Sequence, residues 1–289
     1  MAHRQIIVQL SVALFAFVWA QDAQGIITRD DVPDASYVVA DADYPAVVDL
    51  FEPGDCIGTL ITTQHLLTVA HCAEDLTASG TLSVGGTSYS IAQVTLHPDW
   101  DGWDNDIALI RFEDPTTGIT PYELFAGSDE QGQSLILVGR GPHATGLEGE
   151  PGATTDGQLR RATNLIASAD GQWLQVRFDS PQEAAVTELE GVGAAGDSGG
   201  PAFIETTDGL QLAGLNSWGD PAPGGAIGQY GGTDHSTRVS YFADWIQGEI
   251  SNPIAGNDAG ESCACSASPG KHSWVALLLF VGLLMRRSI

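Results

Sequence analysis

Three side chains in this sequence have the types and neighbours that acyl transfer requires: a serine among glycines, a histidine behind one apolar run and an aspartate before another. Ser198 lies in Gly196-Asp197-Ser198-Gly199-Gly200-Pro201. Glycine permits tight turns and positive φ, so backbone there can come close to a substrate. Such a turn can aim the N–H groups of Gly196 and Ser198 at one point, where they would hold the oxyanion formed when a hydroxyl attacks a carbonyl. A serine hydroxyl is a weak nucleophile at neutral pH unless an oriented base removes its proton. His71, at the end of Leu66-Leu67-Thr68-Val69-Ala70-His71-Cys72, is the candidate base. Asp106 stands at the mouth of another apolar strand in Asp104-Asn105-Asp106-Ile107-Ala108-Leu109-Ile110. A desolvated carboxylate there can hold an imidazole in one tautomer. The chain order His, Asp, Ser is one of three in which this constellation occurs.

Other residues compete for these roles. His65 falls in a turn between strands, and His97 precedes Pro98 at a loop entry; both read as surface or capping histidines. Asp99, Asp101 and Asp104 read as solvated loop carboxylates.

The elements that must position these groups are strands. Apolar runs are short, helical periods are scarce and glycine is abundant, which favours an all-β chain. Strands are expected at 44–50, 57–63, 66–70, 134–139 and 172–178, with a hairpin 201–204/210–215 turning at Thr207-Asp208-Gly209. Residues 141–157, rich in Gly, Pro and Thr, read as an exposed loop, and Leu159-Arg160-Arg161-Ala162 as a strand edge with solvated charges. Cys56 and Cys72 flank the strand pair before His71, and in an exported chain they would form a disulfide clamping that loop.

Composition narrows the partners. The net charge of −26 excludes nucleic acid as an expected partner, since phosphate binding needs clustered Lys and Arg. Lys271 is the only lysine. No cofactor or metal is expected, because Cys263 and Cys265 alone make a poor zinc site.

Taken together, Thr68-Val69-Ala70-His71-Cys72, Asp106-Ile107-Ala108-Leu109 and the 196–201 stretch resemble the three signature segments of trypsin-like (chymotrypsin-fold) serine peptidases. The resemblance spans roughly residues 26–250 and implies two packed antiparallel β-barrels with the site in their cleft. Residues 115–123 would join the barrels, and Tyr241-Phe242-Ala243-Asp244-Trp245-Ile246 would form the short C-terminal helix. It implies a secreted endopeptidase with His71, Asp106 and Ser198 as triad and Gly196 and Ser198 as oxyanion donors. Family members carry a bridge matching Cys56–Cys72, whereas Ala194 stands where many have a further bridging cysteine. Ser217-Trp218-Gly219 matches the segment that pairs with substrate backbone as an added strand; Trp218 also reads as a core aromatic. Val192 occupies the pocket position where members of basic preference carry an acid, so simple trypsin specificity is not implied. Asp234 is either an acid approaching the same pocket from its other wall or a solvated loop residue. In this family an aliphatic N-terminus pairs with the Asp before the nucleophile, which makes Asp197 the partner of Ile26. The residues before Ile26 are Ala23-Gln24-Gly25 rather than a basic cleavage site. Two readings of Ile26 stand: an N-terminus exposed by signal peptidase during export, or an ordinary strand start.

The ends suggest export. Residues 1–25 carry His3 and Arg4, an apolar segment and small residues, the layout of a signal peptide. Residues 26–251 would form the peptidase domain and 252–272 a linker. The segment 273–289 is short for a span, which needs ~20 apolar residues, and ends near Arg286-Arg287. With Cys263 and Cys265, it resembles bacterial sorting tails of the MYXO-CTERM kind. That implies processing by a sorting peptidase and a membrane or lipid anchor at the cell surface. The rival function is a catalytically silent surface binding protein of the same fold.

Overall fold

The computed structural model describes residues 26–252. The segments read as signal peptide (1–25) and sorting tail (273–289), and the linker beyond Asn252, lie outside the described residues, as do Cys263 and Cys265.

Strands form where apolar residues alternate or run together. In chain order they are β1 (Ile27–Thr28), β2 (Val47–Asp49), β3 (Ile57–Thr62), β4 (His65–Thr68), β5 (Thr81–Val84), β6 (Thr87–Leu96), β7 (Ala108–Phe112) and β8 (Glu123–Leu124). The second half adds β9 (Ser134–Gly139), β10 (Ala144–Thr145), β11 (Arg160–Asp170), β12 (Trp173–Arg177), β13 (Gly191–Val192), β14 (Pro201–Thr206), β15 (Gly209–Asp220) and β16 (Thr233–Arg238). Two short α-helices, α1 (Ala70–Ala73) and α2 (Ala243–Ser251), and three single-turn 3-10 helices complete the described elements. Side chains alternate between interior and solvent along β5 and β11, as a half-buried strand requires. β4 is buried along its whole length, because both its faces are covered.

β2 to β7 form a six-stranded antiparallel sheet in the order β2-β3-β4-β7-β6-β5, whose edge strands come back into contact. The second sheet has seven strands in the order β14-β9-β11-β12-β16-β15-β8 and closes on itself through a β14–β15 pairing. Within it only the short β8–β15 pair is parallel. The architecture is therefore all-β, two barrel-like antiparallel sheets with one short C-terminal helix. A small third sheet inserts β1 between β10 and β13.

The hydrophobic core runs across the junction of the barrels. Leu60, Leu67 and Ile110 from the first sheet belong to one cluster with Phe203, Leu215 and Ile246 from the second barrel and α2. Each fully buried side chain of this kind contributes roughly 1.5–3 kcal/mol of transfer free energy. That shared core, rather than a linker, sets where residues of one barrel meet those of the other.

Two expectations from sequence need correction. Arg160 is not a solvated edge charge: it is 1% exposed and makes paired contacts to Asp34 (2.8 and 2.9 Å) and Asp156 (2.9 and 2.7 Å). A guanidinium offers a planar fork of five donors, so two carboxylates can satisfy it inside the fold. Nor is 141–157 wholly an exposed loop, because Ala144 is buried where β10 pairs with β1. Other arginines are also held in ion pairs: Arg29 with Asp31, Arg140 with Asp41 and Asp49, Arg177 with Asp179 and Glu183, and Arg238 with Glu130.

Candidate active site

His71 sits in the single turn of α1, directly after β4, and Cys72 beside it is bridged to Cys56 at the start of β3. The bridge spans a Cα–Cα distance of 5.9 Å and ties the turn to the neighbouring strand. Asp106 precedes β7 and is 2% exposed. Its Oδ1 accepts the backbone N–H of His71 at 3.0 Å, and its Oδ2 lies 2.8 Å from His71 Nδ1. A carboxylate only accepts, so Nδ1 carries the proton and Nε2 keeps its lone pair. Ser217 Oγ–H also donates to Asp106 Oδ2 at 2.6 Å, and Thr237 Oγ1 donates to the Asp106 carbonyl at 2.8 Å. Both come from the second barrel, so the carboxylate that holds the histidine is itself held across the cleft.

Ser198 stands on the loop before β14, and among the described residues its hydroxyl makes no hydrogen bond with His71. Its carbonyl accepts the N–H of Ile57 at 2.7 Å, and the Gly196 carbonyl accepts the N–H of Cys56 at 3.2 Å. The serine loop is thus hydrogen-bonded to the edge of β3, the strand that the disulfide joins to His71. Gly199 makes this approach possible: φ is +75°, and a Cβ there would lie 2.1 Å from the Ile57 carbonyl oxygen and 2.2 Å from Thr68 Oγ1. Gly196 also has positive φ, +94°. Among the described residues the N–H groups of Gly196 and Ser198 make no hydrogen bond.

Asp197 turns inward. It is buried, and its carboxylate accepts the N–H groups of Gly141 (3.1 Å) and Ala194 (3.3 Å). Burial pushes its pKa up to about 7 against those hydrogen bonds. Among the described residues no ion pair reaches it. Ile26 and Ile27 are buried in the same half, with Ile27 opposite Val192 on β13. Val192 is 2% exposed in that pairing and does not line the pocket described next.

A pocket of 290 Å³ opens beside Ser198, lined also by Gly193, Asn216, Ser217, Trp218 and Asp234. Trp103, Glu150, Ala194 and Gly219 contribute to its walls. Asp234 Oδ2 accepts the N–H of Gly193 at 2.7 Å. Burial raises its pKa well above the usual carboxylate range, and Asp197 and Glu150 push the same way. The buried Asn216 Nδ2, on the same pocket, has no hydrogen-bond partner. Glycine at 219 keeps the space open, since a Cβ there would lie 2.7 Å from Asp234 Oδ1.

The competing residues are occupied elsewhere. His65 is buried with Nδ1 2.7 Å from Thr62 Oγ1, and His97 meets the rings of Phe242 and Trp245 at 5.3 and 5.2 Å. Asp101 caps its own loop by accepting the N–H groups of Trp103 and Asp104, and Asp104 accepts from Gln172. Sequence reasoning missed the Ser217 hydroxyl on Asp106, the wall residues Trp103 and Glu150, and Asn216. No local signal marks them; only the pairing of β15 with β16 and the loop positions bring them in.

Such a fold, with its cleft furnished in this way, defines the class of serine-type endopeptidases. The comparisons agree. The Trypsin family model matches residues 37–246. The chain is similar to trypsin Blo t 3 of Blomia tropicalis, 32% identical over 232 residues that cover 73% of this chain and 83% of that protein. It is 33% identical over 242 residues to a venom serine protease of Polistes dominula, covering 71% and 80%. Vitamin K-dependent protein C of Rattus norvegicus is 29% identical over 219 residues, 68% of this chain but 46% of that longer protein. The chain belongs to the trypsin family.

Proposed function

We propose that this endopeptidase cuts peptide bonds through an acyl-enzyme on Ser198, with His71 moving the proton and Asp106 orienting His71. The observation that carries the reading is the buried Asp106, which fixes both the backbone and Nδ1 of His71 while Ser217 caps it from the opposite barrel. His71 Nε2 takes the Ser198 Oγ proton as Oγ bonds to the substrate carbonyl carbon. The oxyanion that develops is held by the N–H groups of Gly196 and Ser198. The imidazolium, stabilised by Asp106, then gives its proton to the leaving amine, and water repeats the sequence to free the acid. Substrate backbone would lie along Ser217, Trp218 and Gly219 as an added strand.

The pocket favours a cationic side chain before the cut. Asp234 faces it, and an arginine or lysine brings the charge and the donors that this acid lacks. Ile26 is read as the N-terminus of the active chain, its ammonium pairing with Asp197 after a cut by signal peptidase. The N-terminal leader supports export, and the C-terminal tail supports sorting to the cell surface; the oxidised Cys56–Cys72 pair accords with an oxidising compartment.

Labelling of the full-length mature chain with a fluorophosphonate probe tests the central claim. Wild type is expected to label and Ser198→Ala to remain dark. A folded wild-type sample that stays dark would favour the silent binding protein instead.

A further inference from the structure

Trp218 rests on a histidine that the chemistry above does not use. His235 is 5% exposed, and its ring lies 3.6 Å from the Trp218 ring with the planes 6° apart. Trp173 meets the imidazole edge-on at 6.2 Å. Gln175 Nε2 lies 3.3 Å from Nδ1, and Asp220 Oδ2 lies 3.3 Å from Nε2. An amide NH₂ only donates, so Nδ1 accepts and the proton sits on Nε2, directed at Asp220. The imidazole is thereby fixed in plane as well as in tautomer.

The indole above it has no polar anchor. Trp218 Nε1 is buried without a hydrogen-bond partner, so ring contacts alone set the tilt: the His235 face and the edge of Trp173, 5.8 Å away. A register shift between Asn216 and Trp218 on β15 puts Trp218 opposite His235 on β16. Such irregularities re-aim a side chain out of the regular pleat. On the outer side stands Trp103, 61% exposed, with its ring 5.1 Å from that of Trp218. Its loop is braced where Gln172 Oε1 accepts the N–H of Asn105 at 2.6 Å. Three flat groups therefore follow one another from the interior to solvent at the wall of the Ser198 pocket.

We propose that His235 is a positioning residue for substrate. Its ring sets the plane of Trp218, and with Trp103 as the outer plate this makes a surface for an apolar or aromatic side chain upstream of the scissile bond. The inference rests on the reading of Ser198 as nucleophile and of 217–219 as the substrate-facing strand.

The test uses the full-length chain with His235→Ala and His235→Phe. Two substrates are compared: a one-residue arginine ester, and a tetrapeptide amide ending in arginine with phenylalanine at the upstream positions. His235→Ala is expected to raise KM for the tetrapeptide roughly 3- to 10-fold, the worth of an aromatic pair, with kcat nearly unchanged. The ester should respond little, and His235→Phe, which keeps a flat ring, should restore the tetrapeptide KM. An unchanged tetrapeptide KM in His235→Ala would overturn the proposal. So would equal losses on both substrates, or a failure of Phe to rescue. A parallel arm measures calorimetric Kd for the tetrapeptide in a Ser198→Ala background, where the same weakening and rescue are expected. That arm reads His235 without turnover, so a dark wild type in the fluorophosphonate assay would sink the acyl-enzyme reading and leave this one still decided.

Discussion

The two barrels share an antiparallel architecture and differ in what they bury. The first presents His71 and Asp106 from an interior of Leu, Ile, Val and Phe, and a disulfide braces the turn that carries the histidine. Its buried acid is Asp106, which is turned toward the other barrel. The second buries Glu130, Arg160, Asp179, Glu190 and Asp197. Glu190, for example, accepts from the Thr187 N–H (2.7 Å), the Thr187 hydroxyl (2.6 Å) and the Asp179 N–H (3.2 Å), and so folds the loop behind β13. Buried charges add little net stability, yet breaking one pair costs about 3–5 kcal/mol. The first barrel is therefore held by packing and a covalent bond. The second has an apolar cluster as well, and adds buried polar contacts around the pocket, where Ala194 stands in place of a bridging cysteine.

The largest break in this contrast is expected at the point where the barrels meet. Asp106→Asn should lower kcat by about 10⁴-fold while the fold persists, because the amide no longer demands a proton on Nδ1. Steady-state kinetics beside a thermal melt would check it. Equal kcat in the two proteins would remove Asp106 from the mechanism.

Next comes the buried acid of the second barrel. Asp197 has its folded pKa raised to about 7 by burial, so the folded chain binds that proton more tightly than the unfolded one. Stability is then greatest below the unfolded value near 4 and falls as pH rises through about 7, by at most about 4 kcal/mol. A chain with residues retained before Ile26 should therefore melt lower at pH 8 than at pH 5. A chain beginning at Ile26 should lose this dependence, because its ammonium holds Asp197 ionised. Calorimetry on both forms decides it, and identical pH profiles would remove the ammonium from the account.

Replacing Cys56 and Cys72 by alanine together should cost about 3 kcal/mol for a loop of this length. The unfolding midpoint in urea should move, and the pocket residues should keep their ligand affinity. A loss of pocket affinity equal to the loss of stability would show that the bridge braces both barrels rather than the first.

The smallest effect, and the sharpest on specificity, is expected from Asp234→Asn. Cleavage after arginine should fall roughly 100-fold, the scale of losing one member of a buried charge pair, while cleavage after citrulline changes little. Because burial raises the pKa of Asp234, occupation by a cation should release a proton, so affinity for a cationic inhibitor should grow with pH. Calorimetry in buffers of different ionisation heat would count that proton.

What the sequence disclosed follows chain continuity. Ser198, His71 and Asp106 each lie in a short segment whose own residues suggest the role proposed for them, and strands such as β9, β12 and β14 follow their apolar pattern. The disulfide pair was readable from its position around β3 and β4. The burial of Arg160 has no full local mark because one of its two partners, Asp34, lies 126 residues away. Ser217 lies 111 residues from Asp106, so its hydroxyl bond had no local mark. The pocket walls were least legible, since Asp234 faces the cavity only through the pairing of β16 with β15, and Val192, the position that resemblance favoured, turned out to serve β1.

The paired arginines bear on survival. None of the described residues is lysine; Arg29, Arg140, Arg160, Arg177 and Arg238 are tied to carboxylates, four of them with side chains no more than 14% exposed, whereas Arg111 and Arg161 make no ion pair among the described residues. A peptidase of the basic preference proposed above would need its target as a loose, extended strand, and these bonds keep five of the chain's own arginines within the fold. Arg177, 45% exposed at the end of β12, is the most exposed of the five. An enzyme stored at high concentration would thus resist digesting itself for as long as its ion pairs hold, and high salt would shorten its shelf life before it changed the rate of catalysis.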